Sequence, residues 1–273
     1  MTSMTQEEAR KPIGVFDSGV GGLTVASAIR RRAPRESILY FGDTARVPYG
    51  TKSTETIRRY TREIARFLDD RGVKMVVVAC NSCSATALDC VGGEFQGPIV
   101  GVIEPGVEAA LAATENGRIG VIGTQATISS GAYEHSLRER RPAIHVVSTA
   151  CPLFVPLAEE HLENHEATRL LARDYLQPLF DDGIDTLILG CTHYPLLAEV
   201  IRDLAGAGVK VVDSAESTAV KVATTLRENG LSAPDDLEPT FRYFASDDPS
   251  GLEKMHRRLL GEAPVWVGTA RLG

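Results

Sequence analysis

The sequence predicts an α/β protein with two similar lobes, each a mostly parallel sheet flanked by helices, and an active site between them. Short runs of valine, isoleucine and leucine alternate with helical patterns along most of the 273 residues. The apolar runs are nearly continuous, which is typical of parallel strands covered on both faces of their sheet. The chain also repeats part of its own pattern, which indicates two units of similar build.

Eight apolar runs predict β-strands. They span residues 13–17, 38–41, 73–79, 99–103, 119–122, 144–147, 186–189 and 209–212. Between the second and third runs, apolar side chains recur with the 3.6-residue spacing of an amphipathic helix. They are Ile57, Tyr60, Ile64, Phe67 and Leu68. Ser53 precedes them and is predicted to cap the start of this helix.

The internal repeat relates residues 67–80 to residues 178–191. Aligned without gaps, the two segments share the pairs Leu68/Leu179, Asp70/Asp181, Gly72/Gly183 and Cys80/Cys191. Residues 14–18 and 120–124 form a second matched pair at nearly the same offset. The tail carries too few elements for a third lobe, so we expect it to complete the first. The predicted domains are therefore residues 1–103 plus 209–273, and residues 104–208.

Composition and charge argue against two classes of binding partner, nucleic acids and membranes. The chain is 43% hydrophobic and 24% charged, with a formal net charge of -7, which argues against nucleic-acid phosphate as a partner. No apolar run approaches the ~18 residues needed to span a bilayer, and the first twelve residues lack the apolar segment of a secretion signal. We therefore expect a cytoplasmic protein with no membrane partner. The arginines in residues 30–35 are interpreted as a solvated helix end.

The five cysteines do not form a disulfide framework if the compartment is reducing. Cys80 and Cys83 make one C-x-x-C pair, but no second pair or suitably spaced histidine follows, so we expect no metal site. Cys83, Cys90 and Cys151 are interpreted as small buried apolar residues.

Cys80 and Cys191 end equivalent predicted strands, and ligands of open α/β sheets gather at the carboxyl ends of strands. If the lobes face each other, the two thiols flank one ligand. Inverting a stereocentre by proton transfer needs a base on one face and an acid on the other, and two thiols can exchange these roles. Free cysteine titrates near ~8.5, so the thiolate needs support. His193 and nearby acidic side chains are candidates for it.

Two loops at the same edge of the first sheet also favour a ligand. Residues 17–22, DSGVGG, form a glycine-rich turn whose backbone N–H groups suit an anion, without the dinucleotide or Walker fingerprint. Asp17 in this turn fits a helix cap and a functional acid equally well. Residues 42–50, GDTARVPYG, fit either a site loop or a plain turn with an Asp43–Arg46 ion pair.

Six motifs in order resemble glutamate racemases, the cofactor-independent branch of amino-acid racemases. They are FDSGVGGLTV (16–25), YFGDTARVPYG (40–50), ACNSCSA (79–85), CPLFVPLAEE (151–160), GCTHYPLL (190–197) and VDSA (212–215). The resemblance implies L- or D-glutamate as substrate, a supply of D-glutamate for peptidoglycan, no cofactor and two domains around a shared site. We also expect a homodimer.

The resemblance implies that Cys80 is the base for D-glutamate and Cys191 the base for L-glutamate. Asp17 and His193 would assist the thiols, and Glu160, preferred over Glu159, would be a further catalytic acid. The implied substrate-binding residues are Asp17, Ser18, Pro48, Tyr49, Gly50, Asn81, Ser82, Thr124, Thr192 and His193.

The sequence departs from the family pattern at two positions beside Cys80. Ser82 stands where threonine is usual, which keeps the hydroxyl and removes a methyl group. Cys83 stands where alanine is common, and a second thiol three residues from Cys80 is expected to raise sensitivity to oxidation.

Three other functions are consistent with parts of the sequence. An aspartate or hydantoin racemase, or a decarboxylase needing one of the two cysteines, would keep the fold, but residues 17–22 and 42–50 favour glutamate. A binding protein such as a gyrase-binding regulator would call for a basic patch or a long N-terminal extension. A pyridoxal enzyme would need a lysine at the strand ends, and Lys52 is the nearest of six.

Overall fold

The computed structural model describes residues 6–264 and 266–272, which form parallel sheets covered by helices. In chain order, the strands within this part are β1 (Ile13–Asp17), β2 (Ile38–Gly42), β3 (Met75–Val78), β4 (Ile99–Gly101), β5 (Arg118–Gly123), β6 (His145–Ala150), β7 (Thr186–Gly190), β8 (Lys210–Asp213), β9 (Phe241–Ala245) and β10 (Val267–Thr269).

The helices fill the connections between these strands. They are α1 (Gln6–Arg10), α2 (Leu23–Arg32), α3 (Thr54–Asp69), α4 (Asn81–Thr86), α5 (Leu88–Gly92), α6 (Ile103–Ala113), α7 (Gln125–Ser129), α8 (Ala132–Arg140), α9 (Phe154–Glu159), α10 (Glu166–Asp181), α11 (Ala198–Ala205), α12 (Ser214–Glu228) and α13 (Ser250–Leu260). Short 3₁₀ turns cover Tyr49–Thr51 and Tyr194–Leu197. No helix in the described ranges is long and apolar enough to cross a bilayer.

Two sheets divide the strands between two lobes. The first sheet has the order β10-β9-β2-β1-β3-β4 and the second the order β6-β5-β7-β8, and every pair is parallel. In the first sheet the strand order reverses around β1, and in the second around β5. Such switch points open a crevice at the carboxyl ends of the strands, where α/β proteins place ligands.

Helices cover both faces of each sheet, which explains the nearly continuous apolar strands. On the first sheet, α2, α12 and α13 pack on one face, and α3 and α5 on the other. On the second, α6 and α8 pack on one face, and α9, α10 and α11 on the other. Each fully buried leucine, isoleucine or valine side chain contributes about 1.5–3 kcal/mol. The predicted α/β class with two lobes is confirmed.

All eight predicted strands are present, with ends shifted by a few residues at most. The predicted helix cap is confirmed, because Ser53 Oγ accepts a hydrogen bond from the Thr56 backbone N–H at 3.3 Å. The arginines at the end of α2 occupy its last turn, as expected. Sequence patterning missed β9 and β10, which are short strands near the edge of the first sheet.

The predicted return of the chain at residue 209 is wrong for one strand. β8 pairs with β7, from Thr186↔Lys210 to Leu189↔Asp213, so it belongs to the second sheet. The chain rejoins the first lobe through α12, which packs on α2. An apolar run predicts that a strand forms, but its sheet is decided by its hydrogen-bonding partner.

The internal repeat corresponds to equivalent local structure in the two lobes. Gly72 lies between α3 and β3 with φ +64°, and Gly183 lies between α10 and β7 with φ +78°. This left-handed backbone favours glycine, which explains why both copies carry it. After the strands, Cys80 and Cys191 stand at matching positions.

Candidate active site

Residues from both lobes enclose a cavity of about 20 Å³ at the carboxyl ends of the two sheets. Its walls are Ser18, Val47, Pro48, Tyr49, Gly50, Cys80, Asn81 and Ser82 from the first lobe, and Thr124, Val155, Cys191, Thr192 and His193 from the second. Nine of the ten predicted substrate-binding residues line it, and the tenth, Asp17, is buried next to Ser18. The apolar walls Val47 and Val155 were not predicted, because no local sequence pattern marks them as site residues.

The first thiol, Cys80, occupies the N-cap position of α4 and is almost fully buried. The Cys83 thiol hydrogen-bonds its sulfur and is the main reason that the pKa of Cys80 lies below its usual value. Burial and the nearby Asp17 carboxylate act against this, while the Cys83 backbone N–H and the Ser18 hydroxyl add to it. Donors that favour a thiolate thus converge on Cys80.

The second thiol, Cys191, begins a chain of polar contacts in the second lobe. Its Sγ lies 3.9 Å from Nδ1 of His193, and Nε2 of His193 lies 3.0 Å from Oε1 of Glu159. Burial alone would lower the pKa of His193, but the contacts with Cys191 and Glu159 and the charge of Asp17 raise it well above its usual value. These contacts favour the protonated form of His193 beside the Cys191 sulfur.

The preference for Glu160 as the assisting acid is wrong in this structure. Glu159 is the last residue of α9 and reaches His193, whereas the next residue, Glu160, is exposed and lies outside the cavity. Successive residues at a helix end point in directions about 100° apart, because a turn takes ~3.6 residues. Two adjacent glutamates are therefore equivalent in the sequence and distinct in space.

Asp17 joins the two lobes behind the cavity. Its Oδ2 accepts a hydrogen bond from the Gly19 backbone N–H at 3.0 Å, and its Oδ1 accepts one from Thr192 Oγ1 at 3.2 Å. Gly22, not Asp17, occupies the N-cap position of α2. Burial raises the pKa of Asp17, against the His193 charge and the backbone donors of the turn. Asp17 thus shapes the site rather than capping the helix.

The loop after β2 lines the cavity and also contains the ion pair that the sequence suggested as the alternative. Arg46 Nε donates to Asp43 Oδ2 at 2.6 Å, which is the expected ion pair. The same buried carboxylate accepts hydrogen bonds from the Tyr49 hydroxyl and, at 2.7 Å, from Ser246 Oγ. Asp43 thereby fixes the loop that brings Pro48, Tyr49 and Gly50 to the cavity, and Ser246 ties it to the end of β9.

Polar side chains from the two lobes also meet at the cavity wall. Ser82 Oγ lies 2.9 Å from Thr124 Oγ1, and the Tyr133 hydroxyl donates to Asn81 Oδ1 at 2.7 Å. The Asn81 Nδ2 atom is buried and has no hydrogen-bond partner among the described residues. A Cβ at Gly50 would lie 2.5 Å from Thr124 Cβ, so only glycine lets the lobes approach this closely.

The remaining cysteines are buried, as the sequence predicts. Cys90 packs in the core with α3 and α5, and Cys151 packs in the core of the second lobe. Cys83 differs from both because its sulfur contacts the Cys80 sulfur.

Comparison with known proteins agrees with this geometry. A family model described as Asp/Glu/Hydantoin racemase matches residues 21–222. A glutamate racemase of Geobacter metallireducens is 53% identical over 251 residues, covering 92% of this chain and 93% of that protein. The solved structure of a glutamate racemase isoform from Bacillus anthracis superposes with a TM-score of 0.93 at 42% identity, covering 97% and 98% of the two chains.

A second solved structure, glutamate racemase from Francisella tularensis in complex with D-glutamate, superposes with a TM-score of 0.90 at 38% identity. The superposition covers 97% of this chain and 98% of that one. Sequence identity and fold agree over nearly the whole length, and the family model matches within it. The chain therefore belongs to the Asp/Glu/Hydantoin racemase family, within its group of cofactor-independent glutamate racemases.

Proposed function

We propose that this protein interconverts L- and D-glutamate by transferring the Cα proton between Cys80 and Cys191. The observation that carries the proposal is the pairing of these thiols. They come from equivalent strand ends of two lobes, both are buried, and both line one cavity. A ligand between the lobes would have one sulfur on each side.

The reaction needs one thiolate and one thiol at the start of each turnover. The thiolate takes the Cα proton and forms an S–H bond, while the electron pair of the broken C–H bond is delocalised into the substrate carboxylate. The opposite thiol then gives its proton to the other face of Cα and becomes a thiolate. Cys80 acts as the base for D-glutamate, and Cys191 acts as the base for L-glutamate.

The environments of the two sulfurs support these roles. Hydrogen bonds from Cys83 and Ser18 favour the thiolate of Cys80. The His193 imidazolium, held by Glu159, favours a negative charge on Cys191 when that residue is the base. Each sulfur thus has its own polar neighbours, which a thiolate needs because a free cysteine is mostly protonated at neutral pH.

The cavity wall supplies the donors and the acceptor that an amino acid with two carboxylates needs. The unpartnered Nδ2 of Asn81 and the hydroxyls of Ser82, Thr124 and Thr192 are donors for carboxylate oxygens. Asp17 offers a buried carboxylate to the substrate ammonium group. No lysine lines this cavity in the described part of the chain, so its walls offer no amine for a Schiff base.

Substrate entry requires the lobes to separate. A space of about 20 Å³ holds roughly one water molecule, far less than an amino acid. The contacts that must open are those between Asp17 and Thr192 and between Ser82 and Thr124. Closure of the lobes around glutamate would then exclude water from the proton transfer.

We further propose that the product supplies peptidoglycan synthesis in the cytoplasm and that the enzyme is a homodimer. Light scattering on the purified protein tests the dimer, since a monomer mass at micromolar concentration would contradict it. D-glutamate auxotrophy on depletion, relieved by added D-glutamate, tests the cellular role.

The activity is tested by incubating the purified protein with L-glutamate without added cofactor and following circular dichroism. The signal is expected to decay to zero as the racemate forms. L-aspartate serves as the matched control and is expected to keep its signal. A stable L-glutamate signal would contradict the proposal, and decay with L-aspartate alone would favour an aspartate racemase.

A further inference from the structure

Cys83 is a buried thiol that the proton transfer does not use. It lies on α4, three residues after Cys80, and is fully buried. The Cys80 thiol is its hydrogen-bonding neighbour, and both cysteines belong to the same buried core cluster of the first lobe. The nucleophilic neighbour of this thiol is thus the proposed catalytic sulfur itself.

The backbone between the two cysteines suits a disulfide. Cys80 is the N-cap of α4, with φ −66° and ψ 119°, and Cys83 is the third residue of the helix. Residues three apart on a helix have Cβ atoms about 5–6 Å apart, and a disulfide needs about 3.5–4.5 Å. A rotation at the N-cap, which the helix holds on one side only, closes this gap. Disulfide oxidoreductases also use a C-x-x-C pair with one low-pKa thiol.

We propose that Cys83 is the resolving thiol of a reversible redox site, in which a peroxide oxidises Cys80 and a Cys80–Cys83 disulfide follows. This inference rests on the proposed function in one respect, the presence of a thiolate at Cys80. The oxidant is hydrogen peroxide. The reductant that restores the site is a dithiol.

Oxidation of the cysteine pair takes two steps, and each conserves atoms and electrons. The Cys80 thiolate attacks one peroxide oxygen, an S–O bond forms, the O–O bond breaks, and hydroxide leaves as water after taking a proton. The Cys83 sulfur then attacks the sulfur of the Cys80 sulfenic acid, an S–S bond forms, and the S–O bond breaks. The leaving hydroxide takes the Cys83 proton and forms a second water. In sum, two thiols and one peroxide give a disulfide and two waters.

The disulfide has two consequences for the enzyme. It removes the base for D-glutamate, so racemisation stops in both directions. It also prevents further oxidation of Cys80 to sulfinic acid, which dithiols do not reverse. Cys151, the cysteine in the same core cluster as Cys191, directs its sulfur to the carbonyl oxygen of Thr149 at 3.8 Å. We therefore place the redox site in the first lobe, at the C-x-x-C pair.

The test treats the purified, reduced protein with hydrogen peroxide, blocks free thiols, and maps disulfides by mass spectrometry of proteolytic peptides. Racemisation is measured before treatment, after it, and after dithiothreitol. We expect a Cys80–Cys83 link, loss of activity, and recovery of about nine-tenths of the activity with dithiothreitol.

Two variants are compared with the parent, each scored against its own untreated activity. Cys83→Ala, with Cys83→Ser as the alternative if its circular dichroism melt shows unfolding, is expected to regain less than about a fifth of its activity and to carry sulfinic acid at Cys80. Cys90→Ala, which removes another buried thiol of the same core, is expected to recover like the parent.

Sulfinic acid at Cys80 in the treated parent, a Cys151–Cys191 link, or full recovery of the Cys83 variants would overturn the inference. Because the disulfide is mapped by mass, the outcome is separable from the racemase activity. A Cys80–Cys83 link in a protein without racemisation would contradict the proposed function and leave the redox site standing. Racemase activity in the untreated parent, together with irreversible oxidation of Cys80 after peroxide, would overturn the redox inference and leave the proposed function standing.

Discussion

Ser82 Oγ and Thr124 Oγ1 lie 2.9 Å apart and join the first lobe to the second at the cavity wall. Thr124 also caps α7, because its Oγ1 accepts a hydrogen bond from the Thr127 backbone N–H at 3.3 Å. A hydroxyl can rotate between partners, so the same two groups can hold the lobes together or turn toward a substrate carboxylate. We propose that this contact couples lobe closure to substrate binding.

Replacing Thr124 by valine tests that coupling. We expect Thr124→Val to lower kcat/KM by about 10- to 100-fold, because a hydrogen bond to a charged group contributes ~1.5–3 kcal/mol. Loss of the cap should also reduce the free energy of unfolding by about 1 kcal/mol. Thr124→Ser keeps the hydroxyl and should stay within about threefold of the parent in kcat/KM. Equal losses in both variants would contradict a role specific to the hydroxyl, and a loss in Thr124→Ser alone would assign the effect to the methyl group.

The two-thiol mechanism predicts that racemisation needs both Cys80 and Cys191. Cys80→Ser and Cys191→Ser should each lower racemisation by several orders of magnitude, because an alcohol is a far poorer base than a thiolate near neutral pH. Cys90→Ser and Cys151→Ser should remain within about tenfold, a barrier change below ~1.4 kcal/mol. Initial rates by circular dichroism measure these effects. Near-normal turnover in Cys191→Ser would leave a one-base mechanism.

Isotope exchange gives an independent check of the two-thiol mechanism. In D₂O, the product enantiomer should carry solvent deuterium at Cα at early times, because the donating thiol exchanges with solvent before it acts. The remaining substrate should keep its proton, since the thiol that abstracts it delivers none to the same face. Proton NMR of the separated enantiomers measures both. Early exchange into the remaining substrate would argue against two monoprotic bases.

The contact between His193 and Glu159 predicts a pH effect with a definite sign. Glu159→Gln removes an anion that favours the imidazolium, so the raised pKa of His193 should fall. NMR titration of the imidazole measures this, and Glu160→Gln should leave the titration unchanged. The stability that the raised pKa contributes is fully present below the unfolded value of about 6.5 and is lost as pH rises through the folded value. Glu159→Gln should therefore lose less stability over that window.

The Asp43 carboxylate predicts a large effect on stability. It is fully buried and binds Arg46, Tyr49 and Ser246. Asp43→Ala leaves these partners unpaired and should cost about 3 kcal/mol, or roughly 6–12 °C in Tm. Asp89→Ala, which removes an exposed ion pair with Arg58, should cost no more than about 1 kcal/mol. Similar losses in the two variants would show that Asp43 does not organise the loop.

Features that depend on neighbouring residues were predictable from the amino-acid sequence. Alternating apolar runs predicted eight strands, and the 3.6-residue spacing with Ser53 predicted α3 and its cap. Glycines at positions 72 and 183 marked equivalent left-handed turns, which placed Cys80 and Cys191 at matching strand ends. Because these signals act over a few residues, periodicity and turn chemistry are sufficient to read them.

Contacts between residues that are distant in the chain became known from the three-dimensional fold. It assigned β8 to the second sheet through its hydrogen bonds with β7, and it selected Glu159 over Glu160 by the direction of one helix turn. It also brought Ser246 to Asp43 across 203 residues of chain. These relationships depend on strand pairing and helix packing over the whole domain, and the free energies of such contacts have no counterpart in local sequence pattern.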